Sequence, residues 1–219
     1  MAKLILETVE NIQYLNEEDA SGKKNMFIVG PFLQAEIVNK NGRFYPMSIM
    51  EREVIRYTKE KIERGNAGGE LNHPSSATLN LDRIALKVQS LTREGNDYIG
   101  KAKLCGPLGN MAKGLIEDGF SLGVSSRGIG SLMDDKKGYK RVAEDFRLMV
   151  AADIVSDPSA PSAFVQGIME NVEFHWDEDQ GWMEQVVRDS RKAIDKLSRE
   201  DRETKGLELF EQYLLKLSK

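Results

Sequence analysis

Residues 84–104 read Ile84-Ala-Leu-Lys-Val-Gln-Ser-Leu-Thr-Arg-Glu-Gly-Asn-Asp-Tyr-Ile-Gly-Lys-Ala-Lys-Leu104. Ile84, Leu86 and Val88 alternate with small or polar residues, and Tyr98, Gly100, Ala102 and Leu104 do the same. A period of two places one face of each segment in a core and marks a strand. Glu94-Gly95-Asn96-Asp97 between them is turn chemistry, so the two strands pair antiparallel. The fold expected around this hairpin is a curved antiparallel sheet or barrel with helices at its periphery, an α+β class.

On the N-terminal side, Lys3 to Glu10 predicts a strand with Leu4, Leu6 and Thr8 on one face. Asn16 to Asn25 is polar, contains Ser21-Gly22, and reads as a loop. Met26–Val29 and Gln34–Val38 read as two strands separated by Gly30-Pro31. Asn39 to Arg43 is a tight turn around Asn41-Gly42. Pro46 opens a helix whose apolar face is Met47, Met50, Val54 and Tyr57. Arg52, Lys59 and Glu60 face outward, and Gly65 ends the helix. Asn66 to Asn80 is a loop of Gly, Asn, Pro and Ser, a length that in a compact domain often signals function.

On the C-terminal side, Leu108 to Asp118 predicts a second helix, followed by the turn Gly119-Phe120. Ile129–Met133 and Tyr139–Val150 read as further strands, and Pro158 and Pro161 stop regular structure. Glu170 to Gly181 is acidic and loop-like. Trp182 to Lys219 places apolar residues at Val186, Ile194, Leu197, Leu207, Phe210, Leu214 and Leu217 among many charges. That pattern predicts one or two amphipathic helices, packed on the main domain or reserved for a partner.

Composition narrows the function. The chain has 219 residues, 40% hydrophobic and 30% charged, with net charge −4. No basic stripe points to nucleic acid, and no run approaches the ~20 apolar residues of a membrane helix. The opening Met-Ala-Lys-Leu-Ile-Leu-Glu has too short an apolar run for a secretory leader. The single cysteine, Cys105, allows no internal disulfide, which suits a reducing compartment. Two histidines without paired cysteines give no zinc spacing, and neither a phosphate loop nor a dinucleotide fingerprint occurs. Neither a metal nor a cofactor is expected.

Nucleophilic hydrolysis remains. Gly123-Val124-Ser125-Ser126-Arg127-Gly128 sets serines between glycines, where a backbone can approach a ligand closely. The same residues also suit an ordinary surface turn. A serine nucleophile needs a base within hydrogen-bond reach and a third group to orient that base. His175 lies in the acidic segment beside Trp176 and Asp177 and reads as exposed. His73 lies in the glycine-containing loop and is the better base, although a structural histidine fits there too. Asp153 interrupts a mostly apolar run from Leu148 to Val155, and a carboxylate in such surroundings needs a partner. Cys105, beside Gly106-Pro107, reads as a small apolar residue rather than a nucleophile.

Four segments carry a family resemblance: Gln34-Ala35-Glu36 with Asn41–Pro46 (NGRFYP), Gly69–Pro74 (GELNHP), Gly123–Gly130 (GVSSRGIG) and Asp157–Pro161 (DPSAP). In this order, across about residues 26 to 165, the chain resembles the prohead core proteases of T-even-type tailed bacteriophages, serine peptidases similar to herpesvirus assemblins. The resemblance implies an assemblin-like protease domain, placed at residues 1–167; the tail at 168–219, mostly helical by its own apolar pattern, matches no part of the family. It also implies that Ser125 is the nucleophile and His73 the base, with Ser126 as the alternative serine. Asp153 is the expected third member, with Glu70 and Asp157 as alternates, and the backbone near Arg127 and Gly128 is expected to bind the oxyanion. Implied substrates are phage scaffold, core and major capsid proteins, cut after Glu in Leu/Ile-x-Glu within a prohead core in the host cytoplasm. The enzyme is expected to be a homo-oligomer that binds neither nucleic acid nor membrane. Ile5-Leu6-Glu7, Ile49-Met50-Glu51, Ile168-Met169-Glu170 and Leu209-Phe210-Glu211 carry the same pattern, and the third, between the proline stop and the charged tail, makes Glu170 the expected self-cleavage site. The alternative is a catalytically inactive structural component of the same core.

Overall fold

The alternation at residues 84–104 does build a hairpin, running Ile84–Glu94 and back Asp97–Leu104. The computed structural model describes residues 2–9, 12–18, 22, 24–72, 76–156, 173–177 and 181–184, with the backbone alone at 2–4, 8, 9, 173–177 and 181–184. In chain order the elements are β1 Ala2–Val9, β2 Gln13–Glu18, β3 Lys24–Gln34, β4 Arg43–Phe44, α1 Met47–Tyr57, β5 Gly68–Glu70, β6 Ile84–Glu94 and β7 Asp97–Leu104. They continue with α2 Gly106–Glu117, β8 Gly123–Gly130, β9 Leu132–Asp134, β10 Lys140–Val142, β11 Arg147–Val155, β12 Glu173–Asp177 and β13 Gly181–Glu184.

Two five-stranded sheets, ordered β11-β8-β1-β12-β13 and β2-β3-β7-β6-β5, accompany a small β4-β10-β9 sheet. Pairing within the two large sheets is antiparallel. The large sheets meet where β5 runs into β11: Leu71 bridges Ile154 in parallel, and the Asn72 N–H donates to the Ile154 carbonyl at 2.8 Å. Gly69 permits this approach, because a Cβ there would lie 1.8 Å from the Ala152 carbonyl oxygen. Ile5, Ile28, Phe32, Leu86, Val88, Val124, Leu148 and Ile154 fill the core between the sheets.

Helix α1 buries Met50, Val54 and Tyr57 as expected, and Ile49 and Glu53 with them. A π-helical turn, Thr58–Ile62, extends it, and Gly65 (φ +74°) closes it. Glu53 is buried because β11 needs it. The β8–β11 register shifts between Leu148 and Val150 and again between Val150 and Asp153. Bulged residues lose regular ladder partners, and α1 supplies replacements. The Leu148 N–H donates to Glu53 Oε2 at 2.9 Å, and Arg56 Nη2 donates to the Leu148 carbonyl at 2.6 Å. Arg52, expected to face outward, is half-exposed but reaches the Glu144 and Phe146 carbonyls.

Several expectations fail for identifiable reasons. The polar stretch Asn16–Asn25 contributes to β2 and β3. β2 is a largely exposed strand at the end of its sheet, so it shows no apolar alternation. Its Tyr14 hydroxyl donates to the Leu122 carbonyl and accepts the Leu122 N–H, which fixes the entry to β8. β3 runs through Gly30-Pro31 without breaking, because a register shift at Pro31/Leu33 absorbs the proline. The long loop contains β5. Tyr139–Val150 divides into β10 and β11 around a turn at Ala143–Phe146. Glu170–Gly181 includes strand β12, and β13 covers Gly181–Glu184, so this hairpin extends the sheet beyond β1. The helices expected farther along the tail lie outside the described residues.

Candidate active site

The serine stretch is not a surface turn. Gly123–Gly130 is β8, every residue of it buried, between β1 and β11. Burial on both faces explains why the sequence shows no alternation. Side chains of a strand still point alternately to opposite faces, and this separates the two serines.

Ser126 lies across from Glu7 of β1 and lines a cavity of about 30 Å³ with Phe32, Tyr45, Met50 and Phe146. Glu7 is held from one turn: Asn41 Nδ2 donates to it at 2.8 Å, Arg43 Nη1 at 3.2 Å and the Tyr45 hydroxyl at 2.8 Å. Arg43 Nη1 also donates to the Leu6 carbonyl at 3.0 Å. The NGRFYP segment is therefore a clamp on β1. Burial, and then the Glu7 charge, push the Tyr45 phenol well above its ordinary pKa, so it stays a neutral donor.

Ser125 points the other way. It is directly opposed to Asp153 on β11, and its Oγ donates to the Glu7 carbonyl at 2.7 Å. Arg127, two residues on, shares this face. Its Nε lies 2.6 Å from Asp153 Oδ2, an ionic contact off hydrogen-bond geometry, and its Nη2 donates to Asp153 Oδ1 at 3.1 Å. The Glu70 N–H donates to the same Oδ1 at 2.7 Å. Glu70 Oε1 lies 3.5 Å from Arg127 Nη2 and accepts the Asn80 N–H at 2.6 Å, while Glu70 Oε2 is 3.6 Å from Arg83 Nε. Arg127, Asp153 and Glu70 are fully buried. Buried charges persist only when paired, and here two arginines meet two carboxylates. On α1, the Tyr57 hydroxyl accepts the Ala151 N–H at 3.4 Å, and burial raises its pKa to about 12.

The loop carrying GELNHP is anchored on both sides of its undescribed part. At one end Asn72 (φ +64°) is bonded to Ile154, beside Asp153. At the other, the Ser76 carbonyl accepts from Arg127 Nη1 at 2.6 Å. His73 itself, Asp157 and Glu170 lie outside the described residues. The His175 backbone is in β12, paired with Met183. Gly128 packs under the Phe146 ring, which a Cβ would meet at 2.3 Å. The Arg127 and Gly128 amides belong to the middle of β8, opposite the irregular stretch of β11.

The structure thus brings Ser125, Asp153, Glu70 and Arg127 together and puts Ser126 on the opposite face. Arg83 and Ser76 went unrecognised in the sequence. Arg83 is an unremarkable charge at a strand start, and a carbonyl acceptor leaves no mark in residue type. Burial raises the pKa of Cys105, which precedes the first residue of α2 and makes no capping hydrogen bond through its side chain. Among the described residues no group of three or more His, Cys, Asp or Glu is placed to hold a metal ion. No described helix is long and apolar enough to cross a membrane.

Comparison with known proteins extends the geometry. The family profile described as prohead core protein serine protease matches residues 5–173. The chain is 39% identical over 165 residues to the prohead core protein protease of Enterobacteria phage T4, covering 74% of this chain and 77% of that one. The solved structure of the bacteriophage T4 capsid assembly protease is similar with a TM-score of 0.69 and 35% identity, over 72% of this chain and 99% of that one.

Proposed function

The chain belongs to the prohead core protein serine protease family, and on that premise we propose that Ser125, His73 and Asp153 are its catalytic groups. A peptidase of phage T4 prohead type, with a fold of mainly antiparallel sheets, is the function of the family and of this chain. The observation that supports this choice of residues is the face shared by Ser125, Asp153 and Arg127, onto which both described ends of the His73 loop are tied. Ser126 faces the clamp on Glu7 instead.

In this mechanism Ser125 turns its Oγ from the Glu7 carbonyl toward the imidazole of His73. His73 takes the proton, Oγ attacks the peptide carbonyl, and the same proton passes to the leaving amine. Water then releases the acyl-enzyme by the reverse sequence. Asp153, held by Arg127 and the Glu70 amide, keeps His73 in the right tautomer and stabilises its cation. Backbone N–H groups of Arg127 or Gly128, where β11 is irregular, receive the oxyanion. The substrates are scaffold or core and capsid proteins, cut after Glu with Leu or Ile two residues before. The enzyme acts as a homo-oligomer in the prohead core within the host cell and processes itself after Glu170, separating residues 1–167 and their immediate flank from the tail.

The test is incubation of the purified chain with core and capsid proteins of its own phage, wild type beside Ser125→Ala. Cleavage by the wild type alone, at Leu/Ile-x-Glu sites, supports the assignment. Cleavage by Ser125→Ala as well as by the wild type overturns it.

A further inference from the structure

We infer that the Arg127 side chain is a positioning residue for the serine–histidine site: it ties both described ends of the His73 loop to the strands carrying Ser125 and Asp153. The family resemblance implies only a backbone role near the oxyanion, whereas the side chain has partners of its own. Its guanidinium is fully buried and spans three chain segments: it starts from β8, meets Asp153 on β11, and donates to the Ser76 carbonyl where the loop re-enters the described chain. Glu70, on the strand that leads into the loop, is its second carboxylate. Both ends of the loop therefore converge on this side chain, one through Glu70 and one through Ser76.

Only a planar fork with several donors serves these partners together. A lysine ammonium is a point charge that satisfies one carboxylate and releases the others. Loosening the loop displaces the base relative to the nucleophile without touching the substrate. A misplacement of about 1 Å costs on the order of 10²-fold in rate. The loss belongs to kcat, because substrate binding is left alone.

The inference rests on the assignment of Ser125 and His73, and the experiment separates the two. Kinetics on a Leu-x-Glu peptide substrate are measured for the wild type, Arg127→Lys, Arg127→Met and His73→Ala, with the melting temperature of each. Arg127→Lys should lower kcat on the order of 10²-fold, with KM within about threefold, and should slow labelling by a fluorophosphonate in parallel. Arg127→Met should be worse in kcat; if it does not fold, Arg127→Lys alone decides. A folded Arg127→Lys with wild-type kcat, or one in which only KM changes, overturns the inference while His73→Ala remains inactive. An active His73→Ala overturns the catalytic assignment and the inference with it.

Discussion

Asp153 on β11 and Ser125 on β8 are directly opposed in the ladder, and the Asp153 carboxylate also receives Arg127 and the Glu70 N–H. One acid thus serves as neighbour of the proposed nucleophile and as one half of a fully buried ion pair. Its loss should register in both rate and stability.

Asp153→Asn keeps the shape and an acceptor for the Glu70 amide but strips the charge beside Arg127. Breaking a buried pair by removing one partner costs roughly 3–5 kcal/mol, so the melting temperature should fall clearly. Well below that temperature, kcat should drop on the order of 10⁴-fold, because an amide favours the wrong imidazole tautomer. Calorimetry and peptide kinetics on the same sample check both. Wild-type kcat in the folded variant would transfer the third role to Glu70 or Asp157.

Gly69→Ala should disable the enzyme. The new methyl would sit 1.8 Å from the Ala152 carbonyl oxygen, so β5 must leave β11 and take the His73 loop with it. Gly68→Ala is the control, since its methyl meets the mobile ends of Ile84 and Leu79 side chains. Solubility, melting temperature and activity of the pair decide; a stable, fully active Gly69→Ala would show that the close approach is dispensable.

Much of this arrangement was legible in residues 84–104, where alternation and a Gly-Asn turn specify a hairpin without help from the rest of the chain. β8 was not, because a strand buried on both faces has no alternation and its glycines and serines imitate a turn. β2 was hidden for the opposite reason: exposed on nearly all its residues, it looks like a loop. The β12–β13 hairpin, with Trp176 across from Trp182, was masked by the acids around Asp177–Asp179. In the candidate site, the serine pair and Asp153 stand out by residue type and setting, while the choice of Ser125 over Ser126 comes from the family resemblance. The partnership of Arg127 with Ser76, and of Arg83 with Glu70, depends on contacts between distant segments and has no local signal.

Cys105 should behave as a sluggish thiol. Burial raises its pKa, which the nearby Lys103 and Lys87 only partly offset. A raised thiol pKa means less thiolate at a given pH, so alkylation at pH 8 should be slower than for a small free thiol and should accelerate at more alkaline pH than usual. Iodoacetamide rates across pH 7 to 10, about the range that brackets an ordinary thiol near 8.5, provide the check. A fast reaction at neutral pH would contradict the burial argument and reopen Cys105 as a nucleophile.

Self-processing should occur after Glu170. Ile5-Leu6-Glu7 lies within β1, and Ile49-Met50-Glu51 lies on α1, so ladder and helical hydrogen bonds protect both. Mass spectrometry of aged wild-type protein should find a fragment ending at Glu170 that Ser125→Ala lacks. A tail that stays attached while added core protein is cut would rule this out.

The central claim is that Ser125, not Ser126, attacks the substrate, and active-site labelling reads it most directly. A fluorophosphonate probe should add one equivalent to the wild type, mapped by tandem mass spectrometry to Ser125. Labelling and peptide cleavage should vanish in Ser125→Ala, with kcat down roughly 10⁶-fold, and survive in Ser126→Ala. A label on Ser126, or an active Ser125→Ala beside an inactive Ser126→Ala, would contradict the account and place the chemistry on the other face of β8.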